Sequence, residues 1–450
     1  MAPKDWQGKK FLIMGLGLNS GGLGVALWLQ KHGHDFRITD LKTTEQLKPS
    51  LTRLRVKKNQ LVLGRHRAMD FKWADIVIAN PIVRPDNKFL KIARQRGAAI
   101  YNDASFFLRN CPAEVIGITG TKGKSTTAFF IYQLLRKKYC TFLGGNIGIS
   151  PFEFLDKLRS TDKVVLELSS WQCEGLAMIK QSPAVGVLTN LGKDHLNTYK
   201  SVHDYHGAKL LLFKYQSARG RAVLNKDDEV IKKKAPKIAS PIKWYGLRGK
   251  SGAVRGKTIF YRDKKIADTD DLRFKGQHNQ RNLMAALTVA DIYNLSQVTI
   301  KKELPGLTTP PGRFELIRLK AGVRYINDTT ATAPVATMEA LKTITTPLIL
   351  IAGGADKKLE FQEMAHLIAQ KTEAVVLLKG EGSVRIKNLL KKEGYDKFTF
   401  ADSMPQAVRQ AYALAEAGST VLLSPGTSSF GMFINEFDRG AQFTRAVKSL

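Results

Sequence analysis

The sequence predicts an α/β protein made of three α/β domains in series. Short continuous apolar runs, which are typical of buried parallel strands, alternate with helical patterns along almost the whole chain. Two stretches rich in turn-forming residues interrupt the alternation, "RNCPAE" at 109–114 and "LTTPPGRFE" at 307–315. We therefore expect domains at residues 1–111, 112–312 and 313–450, because a chain of 450 residues suits two to four hydrophobic cores.

The first domain opens with a strand, a glycine-rich turn, a helix and a second strand. The strand is the apolar run Phe11–Met14, the turn is "GLGLNSGG" at 15–22, and the second strand, "DFRITD", ends at Asp40. This order predicts a Rossmann-like domain. Asp40 stands where dinucleotide folds place their ribose-binding acid, so NAD binding is one interpretation of these residues.

The second and third domains repeat the alternation. The runs "EVIGIT" (114–119), "VVLEL" (164–168) and "AVGVLTN" (184–190) predict a mostly parallel central sheet. Polar alternation between residues 243 and 273 predicts a small antiparallel excursion. The later runs "TPLILIAGG", "AVVLLKG" and "TVLLSPG" predict a second Rossmann-like domain at the C-terminal end.

The charge of the chain is strongly positive, with 71 Lys+Arg against 39 Asp+Glu and a net charge of +32. Such a balance would suit a protein that binds nucleic acid or another polyanion. We favour a solvated basic surface, because the charge is spread along the chain and the densest run, "IKKKAPK" at 231–237, lacks interleaved aromatic residues.

Cysteine usage and hydropathy indicate the compartment. The three cysteines, Cys111, Cys140 and Cys173, lie far apart without disulfide or zinc-site spacing. The N-terminal apolar run is too short for a signal peptide, and the apolar runs fall short of the roughly 20 residues that a membrane span requires. We expect a monomeric protein in the cytoplasm.

The segment "TGTKGKST" at 119–126 predicts a phosphate-binding loop between a strand and a helix. A standard phosphate loop, GxxxxGK[ST], would have glycine at the position of Ile118, whereas here the glycines fall at Gly117, Gly120 and Gly123. The physical parts remain: exposed backbone N–H groups, a helix N-terminus, the charge of Lys124 and the hydroxyl of Ser125 for Mg²⁺. The predicted phosphate contacts are Gly120, Thr121, Lys122, Gly123, Lys124, Ser125 and Thr126.

The unusual position of the first glycine in this loop indicates a resemblance to a known family. The loop "GITGTKGKSTT" resembles the ATP loop of the Mur ligase family, the ATP-dependent amide-forming enzymes of peptidoglycan precursor synthesis. Further motifs stand in the family order: "LGGNIG", "LELSSWQ", "DHL", "YHGAK", "QHNQRNLMAAL", "PGRFE", "YINDTTAT" and "LLSPGTSSFGMFINEFDRG". Within the family, "ELSS" followed by an aromatic residue and Gln is similar to the enzyme that adds D-glutamate.

The resemblance implies a site for two magnesium ions. It assigns catalytic roles to Lys124, Glu167, His195 and Lys209, and it makes Ser125, Glu167, His195 and Lys209 the metal ligands. Glu167 ends a buried strand, where an unpaired carboxylate would cost several kcal/mol. Lys209 would serve as a carbamate, as the family's equivalent lysine does, although a lone lysine on a helix is ordinarily solvated.

The resemblance also implies contacts with two further ligands. ATP would be contacted outside the loop by Asn279 at the adenine, Arg313 at the phosphates and Asp328 at the ribose. The UDP-linked substrate would be contacted by Leu18 and Asn19 at the pyrophosphate, Asp40 at the uracil and Asn146. Without the resemblance, the spacing of these residues would favour a role in a turn or a helix cap for each of them.

In the third domain the resemblance implies a site for the incoming amino acid. Lys357 and Ser429 would hold its carboxylates, since a cation and a hydroxyl suit that group. An aromatic side chain would line the pocket, and the motif leaves Phe433 and Phe437 as alternatives.

The chain departs from the family pattern at the aromatic residue of "FINEFDRG", which is shifted by one position, and in three further places. Thr330 stands where lysine is common, and Gly312 stands where histidine is usual. Asn80, Pro81 and Ile82 replace the usual "SPG".

The function that the resemblance implies is ATP-dependent ligation of D-glutamate to UDP-N-acetylmuramoyl-L-alanine through an acyl phosphate. We expect the third domain to close before chemistry, which would exclude water from that intermediate. Two alternatives stay open at this point. One is a ligase of the same family with a different amino acid acceptor, and the other is a nucleotide-dependent polyanion-binding protein.

Overall fold

The computed structural model describes residues 6–18, 20–193, 198–274, 276–356, 359–429 and 431–450. Its contacts divide the chain into two units, Met1–Thr308 and Thr309–Leu450. Unit 1 contains two parallel sheets and a small antiparallel sheet, and unit 2 contains one six-stranded sheet. The predicted fold class, α/β units in series, is confirmed. The domain limits at 111 and 312 stay a prediction.

The first sheet of unit 1 is parallel and has the strand order β3-β2-β1-β4-β5. Its strands are β1 Lys10–Met14, β2 Asp35–Asp40, β3 Leu61–Leu63, β4 Ile76–Ala79 and β5 Ala99–Tyr101. The accompanying helices are α1 Ser20–Lys31, α2 Thr44–Leu51, α3 Ala68–Trp73, α4 Lys88–Gln95 and α5 Asp103–Asn110. The order reverses between β1 and β4, and ligands of such sheets bind in the crevice outside the strand ends at that point.

The second sheet of unit 1 has the order β11-β10-β9-β6-β8-β7, and all its strands are parallel. The strands are β6 Glu114–Thr119, β7 Thr141–Gly145, β8 Lys163–Glu167, β9 Val185–Leu188, β10 Arg221–Asn225 and β11 Ile242–Tyr245. The helices are α6 Lys124–Leu135, α7 Ser170–Ile179, α8 Val202–Lys214, α9 Glu229–Lys234, α10 Gln277–Ile292 and α11 Gln297–Glu303. Because β6 lies between β8 and β9, the loops that follow these three strands leave the same edge of the sheet.

The predicted antiparallel excursion is a three-stranded sheet. It consists of β12 Gly252–Arg255, β13 Thr258–Tyr261 and β14 Lys264–Asp268, paired in antiparallel register. Ile259 and Tyr261 of β13 are buried in the same core as the central strands and α10. The excursion therefore closes one side of the core of unit 1.

Unit 2 has the strand order β15-β16-β20-β17-β18-β19, with only the β15–β16 pair antiparallel among the described strands. The strands are β15 Glu315–Lys320, β16 Val323–Asn327, β17 Leu348–Ala352, β18 Ala374–Leu378, β19 Phe398–Ala401 and β20 Thr420–Leu423. The helices are α12 Pro334–Thr343, α13 Gln362–Lys371, α14 Glu381–Lys392, α15 Met404–Leu414 and α16 Glu436–Lys448. Every residue of β17 and β18 is buried, as their continuous apolar sequence predicts.

Local sequence determines several helix starts that matter for the site. The Ser169 side chain accepts from Gln172 N, and the Gln172 side chain accepts from Ser169 N, which forms a capping box at α7. Ser201 caps α8 through Asp204 N, and Asn435 caps α16 through Asp438 N. In the described part of the chain, every helix is too short or too polar to cross a bilayer.

Candidate active site

The predicted phosphate loop connects β6 directly to α6. Gly120 and Gly123 have φ angles of +147° and +80°, a region that favours glycine. A Cβ atom at Gly120 would overlap with Thr189 Oγ1, and one at Gly123 would approach Asn282 Oδ1 to 2.5 Å. Both positions therefore require glycine, and Gly123 is the N-cap of α6, so the loop leads directly into a helix N-terminus of the kind that binds anions.

The end of β9 holds the loop in its shape. Thr121 N donates to Asn190 O at 3.0 Å, and Lys122 N donates to Asn190 Oδ1 at 2.8 Å. Lys122 O accepts in return from Thr189 Oγ1 at 2.6 Å and from Asn190 Nδ2 at 2.9 Å. These bonds pre-form the loop before any ligand binds.

Two lysine side chains converge on the same loop carbonyl. Lys124 Nζ donates to Gly120 O and to Thr121 O, each at 3.1 Å. Lys209 Nζ donates to Gly120 O at 2.8 Å and lies 4.5 Å from the centre of the Tyr205 ring. Lys209 is only 1% exposed, although a lysine on a helix is ordinarily solvated. The start of α6 thus combines a helix N-terminus with the ammonium group of Lys124, an arrangement suited to phosphate.

Glu167 ends β8 beside this loop, and the described residues leave part of its carboxylate unsatisfied. It is 1% exposed, and Oε1 accepts from Asn146 Nδ2 at 3.1 Å. Oε2 is buried without a hydrogen-bond partner in the described part of the chain. A buried carboxylate oxygen in this state costs free energy unless a cation meets it. Glu167 therefore fits a divalent metal ion, and the exposed Asn146 orients it.

The other predicted metal ligands are Ser125, Lys209 and His195, and the structure describes the first two. Ser125 is in the first turn of α6 and is 2% exposed. His195 lies outside the described residues. The described residues contain no group of three or more His, Cys, Asp or Glu side chains placed to hold a metal ion.

Asn279, the predicted adenine contact, is linked to the phosphate loop through α10. Asn282 Nδ2 lies 3.4 Å from Asn279 Oδ1, and Thr127 Oγ1 donates to Asn282 Oδ1 at 3.3 Å. Asn282 also contacts Gly123, as noted above. The phosphate loop and Asn279 are therefore parts of one packed cluster.

In the first sheet, Asp40 supports the glycine-rich turn. Its Oδ2 accepts from Gly17 N at 3.1 Å, and its Oδ1 accepts from Lys42 N at 2.9 Å. Leu18 is partly exposed at the same turn, while Asn19 lies outside the described residues. The Asp40 carboxylate is thus already engaged by backbone, and any ligand contact would use its remaining lone pairs.

In unit 2, Asp328 follows β16 and carries a perturbed carboxyl group. Burial raises its pKa to about 7, against the pull of hydrogen bonds from Ser424 and Phe314 and the charge of Arg313. Ser424 Oγ donates to Oδ2 at 2.9 Å, and Phe314 N donates to Oδ1 at 3.1 Å. Arg313 itself is exposed.

The two departures from the family pattern in unit 2 contact each other. Thr330 N and Thr330 Oγ1 donate to Gly312 O at 3.1 Å and 3.0 Å. Gly312 has a φ of +72°, and a Cβ atom there would lie 2.6 Å from the methyl carbon of Thr329. Gly312, Thr329 and Thr330 therefore form one packed arrangement, in which a side chain at 312 has no room.

The predicted amino-acid contacts lie around the loop after β20. Ser429 is buried at 4% exposure, and Lys357 lies outside the described residues. Phe433 is 8% exposed and packs in the core of unit 2, whereas Phe437 is 41% exposed. Of the two alternatives, Phe437 is the one with accessible surface.

Sequence reasoning missed the residues that shape the loop rather than touch a ligand. Thr189 and Asn190 follow β9, and a polar pair directly after a buried strand is a signal that could have indicated them. Asn282 lies three residues after Asn279 on the same helical face, which the i, i+3 spacing could have indicated.

Comparisons with known proteins place the chain in a family. The profile described as Mur ligase middle domain matches residues 118–290, and that described as Mur ligase, glutamate ligase domain matches residues 312–426. A UDP-N-acetylmuramoylalanine-D-glutamate ligase of Roseiflexus sp. (strain RS-1) is 38% identical, over 98% of this chain and 99% of the relative. A protein of the same name from Borreliella afzelii (strain PKo) is also 38% identical, over 98% of each chain.

Solved structures are similar in fold. UDP-N-acetylmuramate-alanine ligase MurC from Thermotoga maritima has a TM-score of 0.63 at 20% identity, over 98% of this chain and 99% of that one. The MurF ligase of Thermotoga maritima in complex with ADP has a TM-score of 0.56 at 18% identity, over 93% and 90%. The fold and the full-length relatives define a ligase of the α/β class. The chain belongs to the Mur ligase family.

Proposed function

We propose that the protein is the ligase that joins D-glutamate to UDP-N-acetylmuramoyl-L-alanine, with ATP converted to ADP and phosphate in the same reaction. The observation that carries the proposal is the pre-formed loop at the start of α6, where Lys124 Nζ reaches the carbonyls of Gly120 and Thr121 and the nearby Glu167 Oε2 is buried without a partner in the described residues. The names of the full-length relatives support the choice of substrates, and the ADP bound by the similar MurF ligase supports the nucleotide. The enzyme acts as a cytoplasmic monomer in peptidoglycan precursor synthesis.

The phosphate loop orients ATP in this proposal. Gly120, Thr121, Lys122 and Gly123 present backbone N–H groups, and Lys124 carries positive charge to the γ-phosphate. Thr126 and Ser125 stand in the first turn of α6, and Asn279 meets the adenine. The terminal carboxylate of the substrate attacks the γ-phosphorus, which gives an acyl phosphate and releases ADP.

Glu167, Ser125, His195 and a carbamate on Lys209 would hold two magnesium ions. The orphaned Oε2 atom of Glu167 supports this assignment, because it is a hard oxygen ligand without a partner in the described residues. When bound, Mg²⁺ would neutralise charge on the phosphates and reduce the repulsion between two anions. Asn146 keeps the Glu167 carboxylate oriented and is itself exposed, and it would contact the UDP-linked substrate.

The remaining assigned residues bind and orient the other groups. Leu18, Asn19 and Asp40 contact the uridine diphosphate, and Arg313 and Asp328 contact ATP. Lys357 and Ser429 hold the carboxylates of glutamate while Phe437 lines its pocket. The glutamate amine then attacks the acyl carbon, and the tetrahedral intermediate expels phosphate.

Phosphate release is the direct test. ATP, Mg²⁺ and UDP-N-acetylmuramoyl-L-alanine are supplied with D-glutamate, L-glutamate, D-aspartate or L-lysine, one at a time. Turnover with D-glutamate alone is the expected result. Turnover with another amino acid would retain the chemistry but reject the acceptor, and absence of turnover with all four would reject the proposal.

Carbamylation of Lys209 makes a separate prediction. Replacement by alanine is expected to lower kcat by about 10²-fold, because a charged ligand is lost where the transferred phosphoryl group is stabilised. Intact-peptide mass spectrometry under bicarbonate should show the added mass of CO₂ on Lys209. Lys214→Ala, at an exposed lysine of the same helix, is the control and should remain active. Full activity with only the free amine detected would contradict the carbamate.

The pKa of Asp328 predicts a pH dependence for ATP binding. The carboxyl group is largely protonated below pH 7 and ionised above it, and the ionised form accepts hydrogen bonds from ribose hydroxyls more strongly. The KM for ATP should therefore fall several-fold between pH 6 and pH 8. Asp328→Asn should flatten this profile, and a pH dependence that persists in the variant would assign it to another group.

The raised pKa of Asp328 also makes the free energy of unfolding depend on pH. Stability is expected to fall as the pH rises, whereas ATP binding is expected to strengthen. Because the native pKa, about 7, exceeds the ordinary value of 3.8, the native state binds this proton more tightly than the unfolded state does. The group's contribution to the free energy of unfolding is therefore complete below pH 3.8 and is lost as the pH rises through 7. Asp328→Asn should melt at a higher temperature than the wild type at pH 8, and this advantage should disappear near pH 4.

A further inference from the structure

Arg439 is a fully buried cation in the first turn of α16. Its exposed fraction is 0%, and it is the largest of the fully buried side chains in the described residues. All three of its hydrogen bonds go to neutral oxygens: Nε to Thr329 Oγ1 at 3.1 Å, Nη2 to Thr329 O at 2.8 Å and Nη1 to Thr427 O at 3.4 Å. Burial lowers the pKa of its guanidinium to about 10, so the group keeps its charge at neutral pH.

A buried charge without a carboxylate partner is costly, and this cost requires a reason. In the described part of unit 2, Arg439 forms no ion pair within 4.0 Å, and Glu436 acts on it only from a greater distance. A packing role alone would be met by an apolar side chain of similar volume. What arginine adds is a planar fork of N–H groups that can bridge separate carbonyls.

The fork bridges two loops that leave neighbouring strands. Thr329 follows β16, directly after Asp328, and Thr427 follows β20, two residues before Ser429. β16 and β20 are paired in parallel, so both loops leave the same edge of the sheet. Arg439 thus connects the segment assigned to the nucleotide with the segment assigned to the amino acid.

Thr329 is packed so tightly that a movement of the Arg439 side chain would also move the Thr329 backbone. A Cβ atom at Gly312 or at Gly440 would lie 2.6 Å or 2.5 Å from its methyl carbon. Its hydroxyl donates to Glu436 O at 2.8 Å while accepting from Arg439. A change in the guanidinium position therefore shifts the backbone next to Asp328, because Thr329 has no free space to absorb it.

We propose that Arg439 is a positioning residue that sets the placement of Asp328 and Ser429 together, and so controls the affinity of unit 2 for the nucleotide and for the dicarboxylic amino acid. The proposal rests on the proposed function, since the ligands are those assigned there. The positive charge of Arg439 also favours the approach of a dicarboxylic amino acid, which carries a net negative charge, over a neutral one.

Arg439→Lys tests the proposal, because lysine keeps the charge but cannot bridge the same three acceptors. The KM values for ATP and for D-glutamate should each rise about tenfold, while the KM for the UDP-linked substrate, assigned to unit 1, should change less than twofold. Arg445→Lys, at an exposed arginine of the same helix, is the matched control and should leave all three values unchanged. A purely structural role would instead lower the active fraction with the KM values intact.

Thr329→Val provides a second route if the lysine variant folds poorly. Valine keeps the shape but removes both hydrogen bonds of the hydroxyl, and it should raise the same two KM values. Combined with Arg439→Lys, its effect on the two KM values should be less than additive, because both changes break the same hydrogen bond between Arg439 Nε and Thr329 Oγ1. Unchanged KM values, or equal increases for all three substrates, would overturn the proposal. If the wild type were inactive with D-glutamate, the proposed acceptor would be rejected instead. The role of Arg439 would then be tested by calorimetry, in which the Arg439→Lys variant should still bind ATP more weakly than the wild type.

Discussion

Replacement of Lys124 by methionine is expected to lower kcat for ATP-dependent ligation by about 10³–10⁴-fold, because phosphoryl transfer depends on cations placed around the γ-phosphate. The lysine is already at the loop, where its ammonium group donates to Gly120 O and Thr121 O at 3.1 Å. Methionine retains most of the aliphatic volume and removes the charge. The measurement is single-turnover formation of ADP at saturating ATP.

The fold should tolerate this change. Gly120 and Thr121 are held independently by Lys209 and by Asn190, so loss of the Lys124 bonds should cost about 1 kcal/mol or less. Arg136→Met, at the exposed C-cap of the same helix, is the charge-matched control and should retain full activity. If the Lys124 variant kept more than a tenth of wild-type activity, the loop would not serve phosphoryl transfer.

Replacement of Glu167 by glutamine is expected to lower kcat by about 10²–10³-fold and to raise the Mg²⁺ concentration required for half-maximal activity. Glutamine is nearly isosteric and can still accept a hydrogen bond from Asn146. What it lacks is the charge at the buried Oε2 position, which has no partner in the described residues. Steady-state rates across a magnesium titration provide the measurement.

Stability should move in the opposite direction, which separates a metal ligand from a structural carboxylate. In a chelating buffer the wild type keeps Oε2 of Glu167 buried without a hydrogen-bond partner in the described residues, so Glu167→Gln should melt at the same temperature or higher. Glu229→Gln, at an exposed glutamate of α9, is the control for charge removal. A large drop in melting temperature without metal would assign Glu167 a structural role instead.

The sequence was most informative about the strands that are buried on both faces. β6, β8, β9, β17, β18 and β20 follow from continuous apolar runs. Two strands that it did not indicate, β15 and β19, lie at the edges of the unit 2 sheet, and apart from Ala401 their residues are exposed or partly exposed. An edge strand carries a mixed pattern because one of its sides meets solvent, and such a pattern resembles a loop.

The candidate site shows the same division between local and distant information. The loop from Gly120 to Lys124 and the position of Glu167 after a buried strand were readable locally, since phosphate and metal chemistry require those residue types in that order. Thr189, Asn190 and Asn282 were not, because their hydrogen bonds with the loop and with the start of α6 join residues that are 67 to 155 positions apart in the chain.

The amino-acid sequence by itself thus determined the family, the α/β class and the chemistry of the phosphate loop, because all three depend on short motifs and on periodicity. Tertiary packing decided which side chains remain available. It buried Phe433 in a core while leaving Phe437 exposed, engaged the Asp40 carboxylate with backbone N–H groups, and enclosed the long side chains of Lys209 and Arg439. Burial and hydrogen bonding arise from contacts between strands and helices distant in sequence, and for this reason local pattern alone does not specify them.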